Sequence, residues 1–258
     1  MSAPSNLFDL TGKVALVTGS SRGIGRAIVE RLAQHGAKVI VSSRKLDACE
    51  TVVSAIRERG GDATALTCNI ANKEELEQLV SKSRQAYGGI DVLVCNAAVN
   101  PHFGASQEIP DAAFEKVMNS NIRSNHWLCQ MVIPAMAARR DGAVIIVSSI
   151  GGLKGSTVLG AYGISKAADM QMARNLAVEW GPSNVRVNTI APGLVRTDFA
   201  RALWENPATY ERAVGQYPLR RIGEPDEIAG AAVLLASRAG SFITGQTLVI
   251  DGGSTIAG

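Results

Sequence analysis

The sequence predicts an α/β protein, a single doubly wound domain on a seven-stranded parallel sheet with helices on both faces. Three observations carry this. Seven short runs rich in valine and isoleucine recur along the 258 residues, most of them unbroken by polar residues, as strands covered on both faces are. Helix-length segments stand between them, and strand–helix alternation builds a parallel sheet through right-handed crossovers. Hydrophobic residues make up 46% of the chain, ample for one large core, and no linker or repeat divides it, so residues 1–258 read as one domain.

In chain order the strand runs are KVALVTG, AKVIVSS, ATALTCNI, DVLVCNAA, GAVIIVSS, VRVNTIAPG and TLVIDGG. Helical patterns include GIGRAIVERLAQHG, LDACETVVSAIRERGG, KEELEQLVSKSRQAYGG and PDEIAGAAVLLASRAG, and glycines close several of them as helix C-caps do. Two further helices are expected over about Asp111–Ala138 and Ser156–Trp180. The connection Gly193–Pro225 is too long for an ordinary strand–helix link, and Phe199, Leu203 and Trp204 give it an apolar patch. A lid closing over a ligand is expected there.

Charge excludes several functions. The net charge is +3 with basic and acidic residues interspersed, which calls for neither nucleic acid nor an anionic membrane as partner. No apolar run is long enough to span a bilayer, and MSAPSNLFDLTGK does not read as a signal peptide. Cys49, Cys68, Cys95 and Cys129 are widely spaced with no C-x-x-C, so neither a metal site nor a disulfide framework is expected. Cys68 and Cys95 read as small core residues. His35, His102 and His126 form no ligand pattern.

The first strand ends in TGSSRGIGRAI, with Gly19, Ser21, Arg22, Gly23, Ile24 and Gly25 leading into a helix. Such a turn lets backbone N–H groups approach a pyrophosphate, and the helix N-terminus adds partial positive charge, as in a Rossmann-type dinucleotide site. At the end of the second strand an acidic residue would grip the ribose 2′-hydroxyl of NAD, whereas arginine accommodates the 2′-phosphate of NADP. Ser43 and Arg44 stand there, with Arg22 in the glycine loop as a second cation, so NADP(H) is the expected cofactor.

Together with YGISK, these pieces resemble the short-chain dehydrogenase/reductase family from Gly12 to about Gly253. TGSSRGIG matches the family's cofactor loop, and CNAAV its N-A-G motif with Ala98 in place of glycine. SNIRS holds Asn121, and IVSSIGG the serine. YGISK is the Y-x-x-x-K motif, and APGLVRT matches P-G-x-x-x-T. Ser149, 13 residues before Tyr162, is preferred over Ser148. The resemblance implies a catalytic set of Asn121, Ser149, Tyr162 and Lys166. A free tyrosine titrates near pH 10, and a nearby ammonium favours its phenolate. Tyr162 would give its proton to a carbonyl oxygen that Ser149 polarises, Lys166 would also bond the nicotinamide ribose, and Asn121 would hold a water linking Lys166 to solvent.

Further cofactor contacts implied by the resemblance are Asn69, where many members carry aspartate, with Ile70, then Asn96 and Ala97, and finally Pro192, Gly193, Val195 and Thr197. Substrate would meet Ser149, Tyr162 and the mostly apolar walls Leu153, Leu194, Phe199, Leu203 and Trp204, which favours compact uncharged ketones and dicarbonyls. VSSRK, CNAAVNPHFG, APGLVRTDF and RRIGEP are most similar to NADPH-dependent carbonyl reductases of the peroxisomal type. Those end in a serine-rich targeting tripeptide, whereas this chain ends TIAG, so a cytoplasmic location is expected. Two other readings stay open: a 3-oxoacyl-[acyl-carrier-protein] reductase, to whose docking face Arg139 and Arg140 could contribute, and a catalytically inactive nucleotide-sensing or scaffolding protein. Methionines on more than one face of the two long helices, and helix pairing in the family, imply a homotetramer.

Overall fold

The computed structural model describes residues 6–257. The first five residues, part of the stretch judged not to be a signal peptide, and Gly258 of the terminal TIAG lie outside the described residues. Seven strands form one sheet in the order β3-β2-β1-β4-β5-β6-β7. They are β1 Val14–Thr18, β2 Lys38–Ser43, β3 Ala63–Thr67, β4 Val92–Cys95, β5 Gly142–Val147, β6 Val185–Pro192 and β7 Thr247–Ile250. Every pairing is parallel.

The valine-rich runs are strands because alternate residues feed two separate cores. Ala15, Val17, Val39, Val41, Val94 and Ile145 face one side, packing with Ile28 and Leu32 of α1 (Gly23–Gln34), Val52 and Ile56 of α2 (Leu46–Glu58), and Ile228 and Val233 of α9 (Pro225–Ala236). Leu16, Ile40, Leu93, Val144 and Ile146 face the other side. There they meet Leu76 and Leu79 of α3 (Lys73–Tyr87), Leu128 and Ile133 of α5 (Ser124–Arg139), and Ala173 and Ala177 of α6 (Gly160–Trp180). Each fully buried leucine or isoleucine contributes about 1.5–3 kcal/mol by leaving water. The edge strands depart from the expected two-sided burial: several residues of β3 and β7 stay partly exposed.

Both long helices differ from the sequence expectation. The run from Asp111 is α4 (Asp111–Val117), then a π-helical segment Met118–Arg123, then α5. Such wide turns free carbonyls from the α-helical ladder. Here Ser124 Oγ donates to the Ser120 carbonyl at 2.6 Å and Asn125 Nδ2 to the Asn121 carbonyl at 2.7 Å. The second helix starts at Gly160 rather than Ser156, because Ser156 Oγ accepts the Val158 and Leu159 N–H groups in a local turn. Between β6 and α9 the long connection carries the short helices α7 (Arg201–Trp204) and α8 (Pro207–Gly215). No described helix is long and apolar enough to cross a membrane, and no described group of histidine, cysteine or acidic residues could hold a metal. All four cysteines are free and buried.

Candidate active site

Strand order reverses on either side of β1, with β2 on one flank and β4 on the other. In such sheets the crevice beyond the strand C-termini is where ligands bind. The glycine loop lies there. Gly19 has φ +65°, and a Cβ on it would sit 3.0 Å from both Ala97 Cα and Asn96 Nδ2. A Cβ at Gly25 would meet the Gly19 carbonyl and Asn96 at 2.4 Å. Side chains of this size are therefore excluded from the turn, which stays open to close backbone approach. Asn96 Nδ2 ties the loop by donating to the Thr18 and Gly19 carbonyls at 2.9 and 3.1 Å. Ser20 Oγ accepts the Ser42 N–H at 2.9 Å, holding the loop to β2. Arg22, extended at the N-cap of α1, puts no side-chain bond on the helix N–H groups, which leaves them for an anion. The cradle fits a dinucleotide pyrophosphate.

Around it the other expected contacts are distributed. Ser21 and Ile24 are half-buried in the loop, and Ser43 closes β2 with Arg44 exposed just after it. Ser43 Oγ lies 3.1 Å from Cys49 Sγ. Arg22 reaches across to Asp198 at 3.6 Å, an exposed pair. Asn69 Oδ1 accepts the Ala71 N–H at 3.2 Å, so one lone pair is already engaged in its own turn beside half-buried Ile70. Thr197 approaches the glycine loop: a Cβ at Gly23 would sit 3.3 Å from its methyl. Val195 is buried and bridges to Gly223, while Pro192 ends β6. Gly193 follows, so close to Asp251 that a Cβ there would lie 2.8 Å from the Asp251 Cα.

Tyr162 and Lys166 rise from the first turns of α6, with Lys166 Nζ 5.7 Å from the Tyr162 ring centroid. Ser149 follows β5 and is half-buried, its Oγ accepting the Gly151 N–H at 3.0 Å. A Cβ at Gly151 would lie 3.4 Å from Ser149 Oγ and 3.8 Å from Tyr162 Cε1, so hydroxyl and ring flank the same glycine. Ser148 is turned inward and donates to the Lys166 carbonyl at 2.7 Å. Phe199 closes over Tyr162 with ring centroids 6.1 Å apart. Leu153 is exposed, while Leu194 and Leu203 are half-buried. Trp204 turns back: its indole N–H donates to the Thr197 carbonyl at 3.0 Å, and the Arg196 guanidinium stacks 5.3 Å from its ring centroid. Among the expected wall residues, Phe199 pairs its ring with that of Tyr162.

Asn121 is fully buried in the π segment. Its amide braces the loop after β4, accepting from the Val99 N–H at 2.9 Å and donating to the Val99 carbonyl and Ser165 Oγ at 3.0 Å. Lys166, only 2% exposed, donates to the Val147 carbonyl at 2.9 Å and to Asp169 Oδ2 at 3.0 Å. Burial works against its ammonium, but the Asp169 carboxylate and neighbouring Tyr162 outweigh burial and hold the lysine above its ordinary value. Sequence reasoning missed Asp169 and its partner Asn125. Their signal was positional: Asp169 follows Lys166 by three residues and Asn125 follows Asn121 by four, each one helical turn on.

Comparison with known proteins agrees with this geometry. Residues 19–255 match the family model described as enoyl-(acyl carrier protein) reductase. Dehydrogenase/reductase SDR family member 4 of Bos taurus is 44% identical over 245 residues, 95% of this chain and 88% of that protein. A gluconate 5-dehydrogenase from Burkholderia cenocepacia, solved in complex with NADP and tartrate, superposes with a TM-score of 0.94 at 29% identity, covering 98% of each chain. A 7α-hydroxysteroid dehydrogenase complexed with NADH and 7-oxo glycochenodeoxycholic acid gives 0.92 at 35% identity over 96% of each chain.

Proposed function

The chain belongs to the short-chain dehydrogenase/reductase family, and from that premise we propose that it is an NADPH-dependent reductase of ketone or aldehyde carbonyls, reversible as an alcohol dehydrogenase. The observation that carries this is the grouping of Ser149, Tyr162 and Lys166 at the strand C-termini, under Phe199 and next to the glycine cradle. When bound, the dinucleotide supplies the hydride. Tyr162 hands its phenolic proton to the carbonyl oxygen, and the Ser149 hydroxyl donates a hydrogen bond to the same oxygen, drawing electron density away from the carbon. The Lys166 ammonium lies beside the charge Tyr162 would acquire as its proton leaves, and it would hold the nicotinamide ribose of a bound dinucleotide with the donor it has not spent on Val147 and Asp169. Asn121 fixes the loop that carries Val99 against α6. Phe199 and Leu203 of the Gly193–Pro225 segment act as an apolar lid that excludes water.

Arg22 and Arg44, with no acid at the end of β2, support NADP(H) over NAD(H). Kinship does not decide between them, because one solved relative carries NADP and another NADH. An acyl-carrier docking face gains little from Arg139. Its Nη2 is held by the Ile90 carbonyl and Asp91 at 2.9 and 3.1 Å, just before β4 and so at the end of the strands opposite Ser149. The test is oxidation of NADPH and of NADH with a panel containing an aryl diketone, a short 3-oxoacyl thioester and a keto-sugar. The diketone with NADPH is expected to give the highest kcat/KM. No turnover with any of them would favour a nucleotide-sensing protein.

A further inference from the structure

The buried pair beneath the active site is larger than catalysis by Tyr162 and Lys166 requires. Asp169 is 0% exposed. One carboxylate oxygen takes Lys166 Nζ at 3.0 Å, and the other takes Asn125 Nδ2 at 3.0 Å. The same Asn125 nitrogen donates to the Asn121 carbonyl at 2.7 Å. A continuous row therefore runs from the ammonium on α6 to the π segment, built wholly of protein groups. Asp169 is the only described acidic side chain paired with Lys166. The other titratable groups around the ammonium are Tyr162 on its own helix, the Cys95 thiol on β4 and, next to that thiol, Cys129 on α5. Contact with Cys129 and burial hold Cys95 well above its ordinary value, so it stays a neutral neighbour.

A buried carboxylate is costly, and one with nothing to compensate would not persist. The compensation here is specific. An unpaired ammonium as dry as this one loses its proton readily, with shifts of up to about 3–5 units documented for buried lysines. A neutral Lys166 would no longer favour the Tyr162 phenolate.

We propose that Asp169 is a positioning residue which, braced by Asn125, keeps Lys166 charged and pointed at the active site. The inference rests on the proposed reductase reading, because it gives Lys166 a task. Burial holds the Asp169 carboxyl above its ordinary value against the pull of Lys166 and Asn125, so in the wild type the pair also weakens on the acid side; loss of the carboxylate tells most at alkaline pH, where an unassisted Lys166 would be neutral.

The experiment is Asp169→Asn, which keeps shape and one acceptor but removes the charge. The pH profile of kcat/KM is measured for wild type and variant, and dissociation constants for whichever dinucleotide the wild type binds are followed across the same range by cofactor fluorescence. In the variant the alkaline limb of both profiles is expected to move down by at least about one pH unit. Activity should fall about tenfold or more near pH 9 and much less near pH 6. A loss uniform across pH, an unchanged profile, or a shift confined to the acid limb would each overturn the inference. A wild type that reduces no carbonyl defeats the reductase reading alone, and the binding profiles still decide the role of Asp169. If Asp169→Asn does not fold, the double variant Lys166→Met/Asp169→Leu decides. Recovery of a wild-type melting temperature shows that the carboxylate is needed only when the ammonium is present, as proposed. A double variant as unfolded as the single one rejects it.

Discussion

Phe199 lies across Tyr162, the two rings 6.1 Å apart at their centroids with planes inclined by 39°. This joins the segment after β6 to the first turn of α6, and it places an aromatic face beside the phenol, where the proposed carbonyl substrate would meet it. Phe199 remains 56% exposed, so its outer face is free to take a ligand.

Phe199→Ala should therefore act on substrate binding rather than on the fold. An aromatic contact contributes about 0.5–1.5 kcal/mol beyond its buried area. KM for an aryl ketone should rise roughly 2- to 10-fold, while a small aliphatic ketone is little affected. The melting temperature should move by no more than about 2 °C, since the side chain is half in water. Equal effects on both substrates would show that Phe199 does not line the cleft.

Tyr162→Phe keeps the ring and its packing against Phe199 and removes the proton. Turnover should fall by about 10²-fold or more, with dinucleotide affinity within about threefold of wild type. Ser148→Ala is the contrasting control. Its hydroxyl braces the Lys166 carbonyl rather than facing the cleft, so losing one buried hydrogen bond should cost about 1–3 kcal/mol of stability. Ser149→Ala should cut turnover, and with it lose the hydrogen bond its Oγ accepts from the Gly151 N–H, a stability cost of about 0.5–2 kcal/mol. Near-normal turnover in Tyr162→Phe would remove the basis for the proposed chemistry.

The fold was legible because each strand run meets a helix layer on both sides: VALVT is buried at all five positions of β1, with no polar face to confuse the period. The glycine loop was legible because close approach admits only glycine at Gly19 and Gly25. The π segment was not, since no residue type marks a widened turn and MNSNIR reads equally well as α-helix. Trp204 looked like a wall residue because its apolar neighbours in sequence suggest a common face. The bond from its indole N–H to the Thr197 carbonyl was not legible, because it depends on how the chain turns after β6. Asp169 was not legible because a carboxylate on a helix is ordinarily solvated, and only the packed structure reveals that it is fully buried.

Arg44→Asp tests the cofactor. A charge-assisted hydrogen bond to phosphate is worth about 1.5–3 kcal/mol, so losing it should weaken NADPH binding by roughly tenfold to hundredfold. The new carboxylate should also improve NADH use, as an acid at that strand end grips a ribose hydroxyl. Arg22→Ala should weaken NADPH less, because Arg22 must first leave Asp198, 3.6 Å away. Cofactor fluorescence titrations decide this, and a wild type that prefers NADH at saturating substrate would reverse the assignment.

Assembly is tested by the apolar surface left at the chain's end. Phe242 is fully exposed, Val178 is 81% and Ile256 86% exposed, and Val249 of the edge strand β7 is 40% exposed. Val178 lies near the end of α6, and the loop before β7 packs there, since a Cβ at Gly245 would sit 3.4 Å from that of Ala177. Exposed large apolar side chains are what a subunit interface covers, and burying a phenyl group contributes about 1.5–3 kcal/mol per copy. The expected state is a homotetramer with two-fold axes. Light scattering at micromolar concentration should report four chains for the wild type and fewer for Phe242→Asp, whose circular dichroism should be unchanged because the side chain touches no core. A wild-type mass of one chain would refute the tetramer. A Phe242→Asp protein that still holds four chains would move the interface away from this surface, onto the helices α5 and α6 alone.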